Sequence, residues 1–373
     1  MSQRHPNPDA RQTIVSVVGT FAILWAAACT DPPPHPQRKD GALDYTLPGP
    51  HAVAVQRYPA TERHPPFLLF GPSRTPPDSY SLAALELDPE RASQMARWVS
   101  DAPPGCPTRA LEGTVDGPID GTELPVVIIS HCYACTASSL ATVASHLATW
   151  GVAVVAISHE GNTLYDAASG NGAALDTATL ELRVGQLDAW LASGPSGVDA
   201  SLHPTDRVTV GHSFGVVTTG MLAQRDASPL GAVFIGAPAE NPLIPGVSAA
   251  ALTLPTVWVL LEEDNSIGAI GNQLLEDNVE QVSGPTRLVR IPDAGHWSVS
   301  DIVGVDASTM PGCGNDTRQD GSDDAFSYPP AAAARGTTAE IVATAVLPWF
   351  DGHSDTDSID VLNGWNGIVV ESQ

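Results

Sequence analysis

Positive charge is scarce in this chain: 17 lysines and arginines stand against 42 aspartates and glutamates in 373 residues, a formal net charge of −25. A surface with that balance repels phosphate backbones and anionic lipid headgroups. It excludes nucleic acid as a partner and electrostatic docking on an anionic membrane, and it disfavours capture of anionic substrates. Internal repeats are lacking, so no repeat architecture is implied. A second Cys-x-x-Cys is lacking too, and Cys132-Tyr133-Ala134-Cys135 sits in no thioredoxin-like context, which argues against redox or zinc chemistry there. The acidic stretch 315–324 (NDTRQDGSDD) lacks the D-x-[DN]-x-[DN]-G spacing and closing glutamate of a calcium loop, and reads as a solvated loop. No motif asks for a metal or an organic cofactor.

An uninterrupted run of apolar or small residues does occur near the N-terminus, from Thr13 to Ala28, preceded by Arg4 and Arg11. It is too short to span a bilayer comfortably and reads as a secretory signal over residues 1–28. The run ends in Ala26-Ala27-Ala28-Cys29, which resembles the lipobox of bacterial lipoproteins. That resemblance implies acylation of Cys29, a membrane partner reached through the lipid, and a place in a bacterial envelope; without the lipid it implies secretion. Residues 29–45, opening with Asp31-Pro32-Pro33-Pro34, read as a stiff, extended tether. Export puts Cys106, Cys132, Cys135 and Cys313 in an oxidising compartment, where four cysteines allow three disulfide pairings. A Cys132–Cys135 bridge would stiffen its own loop, whereas a bridge from Cys106 or Cys313 would tie that loop to the periphery.

From residue 125 onward the pattern becomes regular. Apolar strands end near 130, 158 and 211, each followed by a helical stretch, at 138–150, 175–193 and 213–225. Further apolar runs at 229–236 and 255–261, a strand at 286–291 and a helix at 338–350 continue it. Strands apolar on both sides, alternating with helices, predict an α/β domain over 46–350: a mostly parallel central sheet with helices on both faces. The Pro-rich region 40–120, with strands near 51–58 and 66–70 and a short helix near 89–99, is expected to supply an antiparallel edge. Residues 351–373 read as an acidic polar tail.

The most informative stretch is Val208-Thr209-Val210-Gly211-His212-Ser213-Phe214-Gly215, a β-branched strand running through G-x-S-x-G into a helix. In that context the flanking glycines permit a sharp strand-to-helix turn that presents Ser213 as a nucleophile at a helix N-terminus. The run 255–261 leads into Glu262-Glu263-Asp264, where Asp264 is the expected acid, the glutamates are expected to face outward, and Glu240 and Glu263 stand in reserve. His296, in a Pro/Gly loop after a late strand, is the expected base. His212 is expected to pack beneath the turn, and His353 lies in the tail. Two backbone N–H donors for an oxyanion are expected: Phe214, and either Cys132 or Tyr133 in the loop after strand 124–130.

These ordered pieces resemble the α/β-hydrolases, in the branch of dienelactone hydrolases and platelet-activating-factor acetylhydrolases. Carrying the resemblance are Ser130-His131, His159-Glu160-Gly161-Asn162, Asp206-Arg207-Val208 leading into the elbow, and Ala294-Gly295-His296-Trp297, spread over roughly residues 120 to 350. It implies the α/β-hydrolase fold and cofactor-free hydrolysis of a small-molecule carboxylic ester by Ser213, His296 and Asp264, with preference for short acyl groups. Cys132 and Val216 stand where that branch usually has glycine, and Gly236-Ala237-Pro238 offers no aspartate where some acetylhydrolases carry their acid. The same triad also serves peptidases, thioesterases and lactonases, and a non-catalytic surface binding protein on a degenerate scaffold is the alternative outside enzymes.

Overall fold

Short runs of β-branched and other apolar residues form strands here because both faces of each run find apolar partners. The computed structural model describes residues 34–193, 202–226, 228–305, 310–319, 322 and 324–372; the signal sequence read at 1–28 and the acylation site read at Cys29 lie outside these. Among the described residues the strands are β1 (Ala52–Tyr58), β2 (Phe67–Ser73), β3 (Asp78–Tyr80), β4 (Leu111–Val115), β5 (Leu124–Ser130), β6 (Ala153–Ile157), β7 (Leu202–His212), β8 (Gly231–Ile235), β9 (Thr256–Leu261), β10 (Thr286–Ile291), β11 (Asn315–Thr317), β12 (Ala325–Ser327) and β13 (Val369–Ser372). The helices are α1 (Pro89–Asp101), α2 (Ala141–Thr149), α3 (Leu164–Ala168), α4 (Thr177–Ser193), α5 (Phe214–Arg225), α6 (Gly268–Gln281) and α7 (Ala331–Phe350).

Eleven strands form one sheet in the order β13-β10-β9-β8-β7-β5-β6-β2-β1-β4-β3, and the block from β10 to β6 is parallel. Strand β8 shows why both faces close. Val233 and Ile235 pack into a cluster with Val143 and Leu147 of α2 and Ile341 and Val342 of α7, while Ala232 and Phe234 point the other way, onto Val217 and Met221 of α5 and Leu275 and Val279 of α6. Successive side chains alternate faces, and each fully buried valine or isoleucine contributes roughly 1.5–3 kcal/mol. The parallel sheet is therefore an α/β sandwich whose strands all deliver their C-terminal ends to one edge.

At one side β2 runs antiparallel between β6 and β1, as the Pro-rich region predicts, although β4 then pairs parallel with β1. At the other side β13 pairs antiparallel with β10. The stretch from 351 that composition reads as a tail is thus built into the body. Ile359, Leu362 and Ile368 are buried, Arg287 binds Asp357 and Asp360, and Arg290 binds Glu371. Its apolar anchors come singly among acidic residues, too sparse to show a period. The described part of the expected tether also lies on the body: His35 stacks on Trp150 with ring centroids 5.3 Å apart, and Tyr45 meets the same indole edge-on.

Candidate active site

Strand β7 hands the chain to α5 through Ser213, whose backbone sits at φ 56, ψ −122. The turn's strain therefore rests on the serine itself, whereas the sequence assigns it to the glycines. Gly211 and Gly215 are needed for close approach: a Cβ on Gly215 would lie 2.0 Å from the carbonyl oxygen of Ser130, and one on Gly211 would lie 2.4 Å from that of Gly215. The Ser213 N–H donates to the Ile235 carbonyl at 2.9 Å, which pins the turn to β8.

Three side chains distant in sequence meet at this edge. His296 Nε2 lies 2.8 Å from Ser213 Oγ, and His296 Nδ1 lies 2.7 Å from Asp264 Oδ2. Asp264 is fully buried at the end of β9, and its other oxygen, Oδ1, accepts the N–H groups of Ser266 and Ile267 at 3.0 Å each. With both oxygens occupied, the carboxylate has one orientation. Gly236, at the end of β8, comes close enough that a Cβ there would lie 3.7 Å from both Asp264 Oδ2 and His296 Nδ1. An acid on that neighbouring strand would approach the same imidazole, and here the place is left to Asp264.

Beneath the turn His212 Nε2 donates to the His296 carbonyl at 3.0 Å, and burial pushes its pKa down to about 3, so it is a neutral strut. Glu240 engages the Ala249 N–H instead. The expectation that Glu263 faces outward is corrected: it is buried, pairs with Arg318 at 2.7 Å and accepts the Gln319 N–H at 2.8 Å. Gln319 also donates from its side chain to the Asp264 carbonyl. Arg318 and Gln319 come from the hairpin of β11 and β12, so the described part of the stretch read as a solvated loop instead buttresses the acid's turn. The disulfide Cys106–Cys313 fastens that hairpin's approach.

The second disulfide, Cys132–Cys135, closes the loop after β5 and is fully buried. Among the described residues the N–H groups of Cys132, Tyr133 and Phe214 find no acceptor. Tyr133, Ser213 and Phe214 open on a cavity of about 590 Å³ whose walls include Val217, Ile244 and Leu274, with no charged side chain among its described lining. At its rim Leu243 and Ile270 are 85% and 78% exposed. Arg183 of α4, which the sequence reading passes over, lies fully buried behind this loop. Its signal was present: it stands on the inward stripe with Leu180, Val184 and Leu187, where an arginine is out of place.

Sequence comparison finds no matching family model and no matching curated relative. Among solved structures the chain is similar to a ferulic acid esterase from Streptomyces cinnamoneus, with a TM-score of 0.59 and 17% identity, over 86% of this chain and 96% of that one. That likeness shows a shared α/β-hydrolase fold, with its mostly parallel sheet and helices on both faces.

Proposed function

We propose that this protein is a serine hydrolase of uncharged carboxylic esters. The observation that carries this reading is the hydrogen-bonded line from Ser213 Oγ through His296 to the buried Asp264. Ser213 Oγ attacks the ester carbonyl carbon while His296 Nε2 takes the hydroxyl proton, and Asp264 holds the tautomer and stabilises the imidazolium. The tetrahedral oxyanion is received by the N–H groups of Phe214 and of Cys132 or Tyr133. It collapses by breaking the C–O bond to the leaving alcohol, which takes the proton from His296. Water, deprotonated by His296, then attacks the acyl-enzyme, and the acid is released as Ser213 regains its proton. The residues require no cofactor.

The cavity supports a class of substrate. At about 590 Å³ it falls within the range of small-molecule sites and exceeds what a short acyl group fills, and its apolar walls offer an anion no counter-charge. An ester with a bulky aromatic or aliphatic group suits it, which widens the short-acyl expectation from sequence. Ester hydrolysis is also the activity named for the Streptomyces structure of the same fold. Two disulfides favour an oxidising compartment. With the signal-like N-terminus this supports export, and the run Ala26-Ala27-Ala28-Cys29 carries the proposed lipid anchoring.

Replacing Ser213→Ala is expected to abolish hydrolysis of a nitrophenyl butyrate while leaving the circular dichroism spectrum and melting transition intact. Retention of about a tenth of the wild-type rate by a folded variant would remove Ser213 as nucleophile, since losing a catalytic nucleophile costs many orders of magnitude.

A further inference from the structure

Arg183 is fully buried on α4 and has no carboxylate partner among the described residues. Its guanidinium donates to the carbonyl oxygen of His131, to Asn162 Oδ1 at 2.9 Å, to Ser130 Oγ at 3.1 Å and, at a long 3.5 Å, to the carbonyl oxygen of Cys132. Its carbon Cζ lies 4.7 Å from the centroid of the Phe214 ring. A buried cation without a counter-ion is costly, and burial alone drives its pKa well down.

The surrounding network leaves that charge alone. His131 Nδ1 lies 2.7 Å from the Cys132 carbonyl and its Nε2 accepts the His159 N–H at 3.0 Å; this fixes the proton on Nδ1 and makes the ring neutral. His159 Nδ1 faces Gln186 Oε1 at 2.9 Å, so its Nε2 accepts from Ser130 Oγ, whose oxygen in turn accepts from Arg183. Desolvation, first, and the Arg183 charge, second, hold both imidazoles neutral. The protons of Ser130, His131 and His159 are placed, Arg183 Nε and Asn162 Nδ2 are left without acceptors among the described residues, and the one net charge is the guanidinium.

A trans peptide points its C=O and the next residue's N–H in opposite directions. Fixing the carbonyl of His131 therefore aims the N–H of Cys132 away from Arg183, and fixing the carbonyl of Cys132 does the same for the N–H of Tyr133. These are the amides whose acceptor is missing, in a loop that shares its cavity with Ser213. The family glycine would leave this loop free to choose its geometry; here Cys132 is held instead by a disulfide and by Arg183.

We infer that Arg183 is a positioning residue for the oxyanion hole: a buried, uncompensated cation that clamps the 131–133 peptides with their N–H groups toward the cavity and favours negative charge there. This rests on the serine hydrolase reading, and the test separates the two.

Arg183→Met and Arg183→Lys are compared with wild type for kcat and KM on nitrophenyl butyrate. Inhibition is measured with a trifluoromethyl ketone, which forms the tetrahedral oxyanion on the serine, and with its methyl ketone counterpart, which does not. Arg183→Met is expected to lose about 100-fold or more in kcat with KM changed less than about threefold, and to weaken the trifluoromethyl ketone in parallel while leaving the methyl ketone alone. Should Arg183→Met fail to fold, Arg183→Lys decides: it keeps the charge but has fewer donors, and is expected to lose about tenfold in kcat with KM unchanged. A folded variant with kcat within about threefold of wild type, or one that weakens both ketones equally, overturns the inference while leaving the hydrolase reading in place. A wild type that neither hydrolyses the ester nor binds the fluorinated ketone overturns both.

Discussion

Ser213 occupies a backbone conformation that L-residues adopt at a cost of about 1–3 kcal/mol. The surroundings impose it: Ile235 accepts its N–H, Gly211 lets strand β7 meet the Gly215 backbone, and Gly215 lets helix α5 meet Ser130, each more closely than a side chain permits. Because the strain belongs to the Cβ at position 213, Ser213→Gly is expected to raise stability relative to Ser213→Ala by about 1 kcal/mol, a few degrees in melting temperature by calorimetry. Equal or lower melting of the glycine variant would show that position 213 stores no strain. At this scale the sequence was legible where a motif or a strand end marks a position, and the hydrogen-bonded meeting of Ser213, His296 and Asp264 follows those marks. Glu263 gave no such cue, and Arg183 gave only its place on an apolar stripe, not its partners. Arg318 meets Glu263 across 55 positions, and Arg183 meets Ser130 across 53, with no local signal of either meeting.

At the scale of elements, strands were the easier part. The apolar runs ending near Ser130, Ser158, Gly211 and Leu261 end within one residue of β5, β6, β7 and β9, because a strand buried on both faces is a plain block of apolar residues, although β7 begins at Leu202, ahead of its apolar run. Helix α6 was missed because Gly268-Ala269-Ile270-Gly271 gives no capping signal and the helix buries few apolar side chains. Helix α7 starts at Ala331, earlier than predicted, since a run of alanines has helix propensity but no periodicity to read. Strand β13 is four residues long and exists only through its pairing with β10. The disulfides were open among three pairings, and the fold decided them: Cys132–Cys135 inside the loop after β5, Cys106–Cys313 behind the hairpin that buttresses Asp264.

For the whole molecule, the buried imidazoles govern behaviour in mild acid. His131, His159 and His212 are held neutral chiefly by desolvation, with their folded pKa values below the ordinary 6.5, and His51 and His146 shift the same way. The unfolded chain therefore binds protons first as pH falls. The stability they confer is complete above about pH 6.5 and declines below it, by up to about 1.4 kcal/mol per pH unit for each fully neutral imidazole. Urea unfolding between pH 6.5 and 5, where most carboxylates remain ionised, is expected to show that decline. His212→Gln, which keeps a donor for the His296 carbonyl, should reduce the slope by about 1.4 kcal/mol per unit. Because Glu86, Asp301 and Glu340 are shifted upward and oppose the decline, the comparison decides: a His212→Gln variant with the wild-type slope would mean that the His212 imidazole protonates freely in the native state.

In the proposed reaction Ser213 is a nucleophile activated through His296. Incubation with a fluorophosphonate followed by peptide mass spectrometry tests it directly. A single adduct on Ser213 is expected, lost in Ser213→Ala and slowed about 10³-fold or more in His296→Ala. No adduct, or an adduct on another serine that persists in Ser213→Ala, would contradict it.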